Sequence, residues 1–205
     1  MRNLVLISVI LLFSGCSYRY TNFLDFQDKR VLKPVFCNGS QSYLFSTNIK
    51  LFNKNFSGLL IIKQMPDSIY RAVFTTEIGI TLFDIEIRKD TSIIHSQFEQ
   101  FNKSAIIKTI DNDLRLLLMN DINYSNTEIY KDNNKYSVYK FYKNKFKNYY
   151  YVDNNENYIY QIIKKKNIFD KVIVNLCSYS NNLPQEIYIK HRKIRLKINL
   201  KLLQQ

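Results

Sequence analysis

The stretch FSGLLIIKQMPDSIYRAVFTTEIGITLFDIEI, residues 56–87, predicts three β-strands separated by two short turns. The turns are marked by Met65-Pro66-Asp67 and by Glu77-Ile78-Gly79. The segments between them are rich in Ile, Val, Phe, Tyr and Thr, which suit a pleated, half-buried surface. Because short turns join antiparallel neighbours, the stretch predicts an antiparallel meander at the centre of the fold.

Alternation of apolar and polar residues predicts further strands of this sheet before and after the stretch in sequence. Residues 43–51 alternate in the manner of a strand with one buried face. Residues 59–62 are apolar throughout, which predicts a central strand covered from both sides. In residues 193–202, the apolar residues from Ile194 to Leu200 alternate with basic residues and asparagine, so one face is predicted to be core and the other to face water.

The remaining strands are predicted from β-rich segments separated by Asn- and Asp-rich turns. They lie at residues 91–98, 128–131, 136–142, 146–152, 158–164, 172–179 and 185–190. Turns at this spacing leave no room for crossover helices and therefore predict antiparallel pairing.

One helix is predicted at residues 104–118. Its apolar stripe, typical of an amphipathic helix with one buried face, consists of Ile106, Ile107, Ile110, Leu114, Leu117 and Leu118. Asn102 or Ser104 can cap its start, and Asn120 can end it. We expect a mainly β, α+β protein in which this helix packs in the concave side of a strongly curved antiparallel sheet.

The N-terminal residues predict a secretory signal. An apolar run covers residues 4–13 after the basic Arg2, about half of the roughly 20 residues that a membrane-spanning helix needs. The end of the run, Ser14-Gly15-Cys16, resembles a bacterial lipobox, although Phe13 stands where leucine is usual. The resemblance implies acylation of Cys16, whereas a plain secretory signal with an incidental cysteine is the alternative. We expect a signal peptide over residues 1–15, a tether over residues 16–42 and a single domain over residues 43–205.

The formal net charge of +13 would favour nucleic acid as a partner in another compartment. The tightest basic cluster, Lys164-Lys165-Lys166, is interpreted as a solvated strand end. Because a lipoprotein is exposed outside the cytoplasm, we expect no nucleic acid partner. We expect the positive charge to attract anionic lipid headgroups or polyanionic surface glycans.

A family resemblance rests on residues 58–87, on the following helix and on the closing strands after Leu183-Pro184. Together with the lipobox, this pattern resembles the superfamily of outer-membrane lipoprotein carriers and receptors, LolA/LolB-like, over residues 43–118 and 183–203. The resemblance implies an incomplete antiparallel β-barrel, lidded by helices over an apolar cavity that accepts acyl chains. It also implies a lipid-anchored, monomeric protein on the outer membrane that faces the periplasm.

Two kinds of site residue follow from the resemblance. Ile78 corresponds to the aliphatic residue that protrudes from a turn in receptor members, although an isoleucine turned inward at a hairpin is the alternative. Arg71 or Arg88 could be the arginine that holds the lid of carrier members, or either could be a surface arginine. The predicted lipid-binding residues are Phe74, Ile78, Phe83, Ile85, Leu114 and Leu118.

Reactive residues form no pattern typical of an enzyme, a metal site or a cofactor site. His95 and His191 have no Cys or carboxylate at metal-ligand spacing. Asp84 and Glu86 share one strand face with Arg88 nearby, which predicts a charged solvent face, and Asp111 and Asp113 are assigned to the polar face of the helix. The two functions left open are lipid binding and a structural or assembly role with a filled core.

Two cysteines remain besides Cys16. Cys37 and Cys177 could form a disulfide in an oxidising compartment, or they could be two thiols.

Overall fold

The computed structural model describes residues 32–36, 42–99, 104–124, 127–132 and 135–204. Within these residues the chain forms twelve β-strands, one short 3-10 helix and one α-helix. No helix in these ranges has both the length and the apolar character needed to cross a bilayer. The predicted signal peptide, Cys16 and Cys37 lie outside the described residues.

The strands follow the predicted segments closely. Their bounds are β1 Ser42–Leu51, β2 Lys54–Gln64, β3 Tyr70–Thr75, β4 Thr81–Ile87, β5 Ser92–Gln97, β6 Thr127–Asp132, β7 Tyr136–Lys143, β8 Phe146–Asp153, β9 Tyr158–Lys166, β10 Phe169–Ser180, β11 Leu183–His191 and β12 Leu196–Gln204. The 3-10 helix Pro66–Ser68 joins β2 to β3, and α1 covers Ser104–Leu117 between β5 and β6.

All twelve strands form one antiparallel sheet in the order β5-β4-β3-β2-β1-β12-β11-β10-β9-β8-β7-β6. The first and last strands pair at its centre, where Thr47 lies opposite Leu200. The sheet is strongly curved but not closed, since its edges are β5 and β6. This confirms the predicted mainly β fold with an incomplete barrel and a packed helix.

Helix α1 lies inside the curve of the sheet. Its apolar stripe is buried from Ile107 to Leu117, as the sequence predicted. Near its C-terminal end, the Tyr150 hydroxyl on β8 donates a hydrogen bond to the Leu116 carbonyl at 3.0 Å. Asp113 contacts His191 at the end of β11. Because β8 and β11 are separated by two strands, a helix that contacts both must lie within the concavity.

The helix ends one residue earlier than predicted. Met119, not Asn120, adopts the left-handed conformation, with φ of 58°. The backbone N–H of Met119 donates to the Leu116 carbonyl at 3.4 Å, and that of Asn120 donates to the Arg115 carbonyl at 3.1 Å. These are the two hydrogen bonds of a Schellman motif, which satisfies the last carbonyls of the helix.

Two details of the sheet differ from the prediction. Ile61 on β2 is 38% exposed, so the outer face of this strand is not covered. In the ranges that the structure describes, the α-helix lies on the concave side, and the apolar run on β2 therefore does not indicate a second layer there. Ile194 was predicted to face the core in a strand. It is 39% exposed because it lies in the turn between β11 and β12, and β12 begins only at Leu196.

Residues 32–36, which belong to the predicted tether, pack against the core. Leu32, Val35 and Phe36 are buried. The Phe36 ring lies 4.8 Å from the ring of Tyr43, and the Tyr124 hydroxyl donates to the Leu32 carbonyl at 3.1 Å. This short segment is therefore part of the folded domain.

Candidate functional site

Five of the six predicted lipid-binding side chains lie in one apolar cluster. Phe74 on β3 and Phe83 and Ile85 on β4 are buried, and so are Leu114 in the C-terminal half of the helix and Leu118 directly after it. The rings of Phe74 and Phe83 lie 5.4 Å apart. The structure therefore brings these residues together between α1 and the concave face.

Ile78 lies outside this cluster. It is 83% exposed at the tip of the β3–β4 hairpin, so the alternative of an isoleucine turned inward is wrong. The turn is closed by the Thr76 N–H, which donates to the Ile80 carbonyl at 2.9 Å, and by the Gly79 N–H, which donates to the Thr76 carbonyl at 3.0 Å. Gly79 has φ of 84°, a conformation that favours glycine and that turns Ile78 outward.

The concave interior is filled with large side chains. The aromatic residues that are almost completely buried are Tyr43, Phe45, Phe74, Phe83, Phe141 and Tyr150. Phe141 and Tyr150 form an edge-to-face pair with ring centroids 5.5 Å apart, and burial raises the pKa of Tyr150. Among the described residues, the helix and these rings pack together inside the curve of the sheet.

Charged residues on β3 and β4 form ion pairs on the convex face. Arg71 donates two hydrogen bonds to Asp84, at 2.9 and 2.7 Å. Glu86 accepts from Arg88 at 2.7 Å and lies 3.2 Å from the ring of His95, and these contacts lower the pKa of Glu86. The predicted charged solvent face is confirmed. Neither Arg71 nor Arg88 contacts the helix through its side chain among the described residues.

The arginine that holds the helix is Arg115, which the sequence analysis did not single out. Its side chain is 5% exposed. The guanidinium donates to the carbonyls of Arg88 at 2.9 Å, Lys89 at 3.2 Å and Thr91, and it contacts Ser92 at 2.5 Å. Carboxylates of Asp111 and Asp121 lie 3.4 and 3.3 Å away. Arg115 thus fixes α1 to the turn between β4 and β5.

Asp113 was assigned to the polar face of the helix, and this assignment is wrong because the residue is buried. Its side chain is 2% exposed, and its Oδ2 lies 2.6 Å from Nε2 of His191. Burial raises the pKa of Asp113. A signal was present in the sequence, since Asp113 is three residues after Ile110 and four before Leu117, on the buried stripe. Its partner is 78 residues away, and no local pattern could identify it.

A basic cavity opens beside this pair, between the polar side of α1 and strands β8 to β11. Its volume is about 430 Å³. Five lysines line it, together with Thr109, Asn112, Asp113, Phe146, Val172, His191 and Ile194; the lysines are Lys145, Lys164, Lys166, Lys171 and Lys193. The sequence analysis interpreted Lys164 and Lys166 as a solvated strand end, whereas both side chains line this cavity.

A second cavity, of about 460 Å³, adjoins the first. The two share His191, Lys193 and Ile194, and the second adds the basic residues Lys50, Arg192, Arg195 and Lys197. The turn between β11 and β12 therefore forms a ridge between two basic cavities at the same end of the half-barrel.

No group of three or more His, Cys, Asp and Glu side chains suited to a metal ion occurs in the part of the chain that the structure describes. Cys177 lies on β10 opposite Glu186. Because Cys37 lies outside the described residues, the disulfide stays a prediction.

Comparison with known proteins identifies the architecture. No family model matches the sequence, and no curated protein matches it. Among solved structures, a LolA superfamily protein from Nitrosomonas europaea superposes with a TM-score of 0.50 at 8% sequence identity. The match covers 80% of this chain and 85% of that one. The resemblance inferred from the sequence is confirmed at the level of the fold, and this chain has a LolA-like fold.

Proposed function

We propose that this protein is a membrane-tethered lipoprotein that binds a lipid, or the acyl chain of a lipoprotein, between α1 and the concave face of its half-barrel. It is attached through acylated Cys16 to the outer membrane and faces the periplasm. The observation that carries the proposal is the position of α1, whose apolar face lies inside an open, curved sheet of LolA-like fold.

An acyl chain can enter only if α1 moves. The cluster of Phe74, Phe83, Ile85, Leu114 and Leu118 closes the interior in this conformation. An acyl chain that replaces these contacts gains about 0.8 kcal/mol for each buried methylene, which can offset the loss of helix packing. The polar contacts of Arg115 and Asp113 hold the C-terminal half of the helix. We therefore expect these contacts to break when α1 moves away from the sheet.

Cross-linking α1 to the sheet tests this mechanism. The Ser92 hydroxyl and the Asp111 carboxylate lie 2.6 Å apart on β5 and α1. Replacing both residues by cysteine, with Cys37 and Cys177 changed to serine, allows a short bifunctional thiol reagent to join them. Binding of a fluorescent fatty acid should occur before cross-linking and be lost after it.

The control is the same double variant without reagent, together with each single-cysteine variant after treatment. Equal binding before and after cross-linking would show that the acyl chain binds elsewhere. Native mass spectrometry of the gently extracted protein should also detect co-purified lipid. Absence of lipid in that measurement, combined with no fatty-acid binding by the untreated variant, would rule out the proposal.

The second candidate is a structural or assembly lipoprotein with a filled core that acts through surface contacts with protein or glycan. The filled aromatic interior favours it, and so does the protruding Ile78. This candidate predicts no fatty-acid binding by any variant and no effect of the cross-link on partner capture. The cross-linking experiment therefore separates the two functions.

The anchor has its own test. Growth with a labelled fatty acid should label the wild-type protein and not the Cys16→Ser variant, and membrane fractionation should release that variant from the outer membrane. Labelling that persists in Cys16→Ser would contradict acylation at this residue.

A further inference from the structure

The geometry points to a binding site for a phosphate-type anion in the basic cavity between α1 and strands β8 to β11. This site goes beyond the proposed acyl-chain function and does not depend on it. Its ligand is either a free phosphorylated solute or the phosphate of a lipid headgroup, since both present the same anionic oxygens. At about 430 Å³ the cavity is within the size range of small-ligand sites and larger than a single phosphate needs.

The charges that line the cavity are strongly unbalanced. Five lysines line it, and Asp113 is the single carboxylate among its lining residues. That carboxylate is already engaged by His191 at 2.6 Å. Clefts lined by charges of one sign concentrate field lines and attract the opposite charge, so the cavity favours anions.

The cavity lysines form no ion pair with a carboxylate among the described residues, whereas other lysines on β7 and β9 do. Lys165 lies between two cavity lysines in sequence, but it is on the opposite face of β9, where its Nζ is 3.4 Å from Asp170. Lys140 lies 2.7 Å from Glu128, and Lys143 is paired with Asp121. These three lysines are therefore neutralised by carboxylates, whereas the lysines that line the cavity are not.

Lys164 and Lys171, two of the cavity lysines, are partly buried. Lys164 is half-buried on the inner face, opposite Val172 on β10, and its Nζ lies 4.9 Å from the centre of the Phe146 ring. Burial lowers the pKa of Lys164. Partial burial and the neighbouring Lys193 lower the pKa of Lys171. The shift of Lys171 includes repulsion from Lys193 and Lys166, which a bound anion would relieve, whereas the attraction of Asp113 and Asp121 partly offsets the burial of Lys164.

Contacts of α1 fix the wall of the cavity that the helix forms. The contact between Asp113 and His191 fixes α1 to the end of β11, where His191 itself lines the cavity. Thr109 and Asn112 supply neutral polar groups from the helix, and each also donates a hydrogen bond to the helix carbonyl four residues before it. A site of this kind pairs a rigid polar wall with lysines that can adjust to the oxygens of the ligand.

The test uses the full-length protein in a mild non-ionic detergent and calorimetric titration at constant ionic strength. The probes are inorganic pyrophosphate, a short-chain phosphatidic acid and a short-chain phosphatidylcholine as the zwitterionic control. Lys164→Gln and Lys171→Gln should each weaken anion binding by about tenfold, the value of one charge-assisted hydrogen bond. Lys165→Gln removes the same charge from the same strand on the opposite face and should leave binding within about twofold.

The probes distinguish the two sources of phosphate. Cavity-dependent binding of pyrophosphate supports a soluble phosphorylated ligand. Stronger cavity-dependent binding of phosphatidic acid than of pyrophosphate or phosphatidylcholine supports a lipid headgroup. Absence of binding with both anions overturns the site, and so does an equal loss in Lys164→Gln and Lys165→Gln, which would indicate attraction to net charge alone.

Folding of each variant is checked by its thermal transition. If Lys164→Gln does not fold, Lys145→Gln replaces it, because Lys145 lines the same cavity from an exposed turn. Pyrophosphate carries no acyl chain. Failure of this site therefore leaves the fatty-acid and cross-linking results unchanged, and failure of acyl-chain binding leaves the pyrophosphate result unchanged.

Discussion

Nε2 of His191 lies 2.6 Å from Oδ2 of Asp113, and this contact joins the helix to the end of β11. Two residues further along the helix, Arg115 binds the turn between β4 and β5. In the sheet, β4 and β11 are separated by four other strands. Neighbouring residues of α1 thus connect distant parts of the curved sheet, and they hold the helix inside the concavity.

Asp113→Ala should lower the free energy of unfolding by about 1–3 kcal/mol, because it leaves the buried His191 ring without its hydrogen-bond partner. Asp113→Asn keeps an oxygen acceptor of the same shape and should cost less. Chemical denaturation of both variants measures the difference. A loss under about 0.5 kcal/mol in Asp113→Ala would show that the contact is not structural.

Arg115→Ala should cost about 3–5 kcal/mol, since it removes a buried cation from two carboxylates and three carbonyls. Hydrogen exchange should increase in the β4–β5 turn. Arg88→Ala is the matched control, because its side chain is half exposed on the convex face. It should change the free energy of unfolding far less, and equal losses in the two variants would contradict the proposed role of Arg115.

Gly58→Ala should strongly destabilise the sheet. A Cβ atom at this position of β2 would lie 1.9 Å from the Thr75 carbonyl oxygen, so the backbones of β2 and β3 would have to separate. Overpacking of this kind costs about 1–3 kcal/mol or more. Gly79→Ala meets no neighbouring atom and is strained only by its φ of 84°, so its loss should be about 1 kcal/mol. Thermal unfolding of the two variants should show the larger loss for Gly58→Ala.

Stability below pH 5 should depend on Glu128. Burial alone would raise the pKa of this carboxyl, but hydrogen bonds from Lys140, Tyr130 and Tyr142 lower it to about 2. A pKa lower in the folded state than the unfolded value of 4.5 means that this stabilisation is present above pH 4.5 and is lost as the pH falls towards 2.

Glu128→Gln should therefore be less stable than the wild type at pH 7, and the two should converge near pH 2. Melting temperatures measured from pH 7 to pH 2 check this. A difference that stays constant over the whole range would show that ionisation of Glu128 does not contribute.

Ile78→Glu should leave the free energy of unfolding within about 0.5 kcal/mol of the wild type, because the side chain is exposed. If this hairpin tip contacts membrane or cargo, lipid transfer between vesicles should fall. Ile85→Glu places a charge in the core of β4 and should prevent folding. Unchanged lipid transfer in a folded Ile78→Glu protein would exclude the tip from that function.

The predicted lipid-binding residues show which side-chain orientations a local sequence pattern can predict. Phe74, Phe83 and Ile85, which were named as lipid-binding residues, are buried in the structure, and the helical stripe correctly predicted the burial of Leu114. The orientation of Ile78 was left open, because a turn residue follows neither the strand period nor the helix period. The turn geometry with Gly79 at positive φ decided it.

Two charged residues of the helix could not be placed from the sequence. Asp113 was assigned to a polar face, and Arg115 was not noticed, although both are buried. Charge predicts exposure unless a partner is present, and the partners here come from other strands. Lys164 and Lys165 illustrate the same point. Alternation along β9 shows that they lie on opposite faces, but it does not show that Lys164, unlike Lys165, lines a cavity formed by several strands and the helix.

The sequence by itself determined the strands, the helix, the antiparallel pairing of consecutive strands and the buried stripe of the helix. These features follow from the periods of two and 3.6 residues and from turn residues, which act over a few positions along the chain. The tertiary structure alone decided the contact of Asp113 with His191, the burial of Arg115, the filled interior and the basic cavity. Each of these depends on the curvature of a twelve-stranded sheet that places β4, β8 and β11 around one helix, and no local period encodes that curvature.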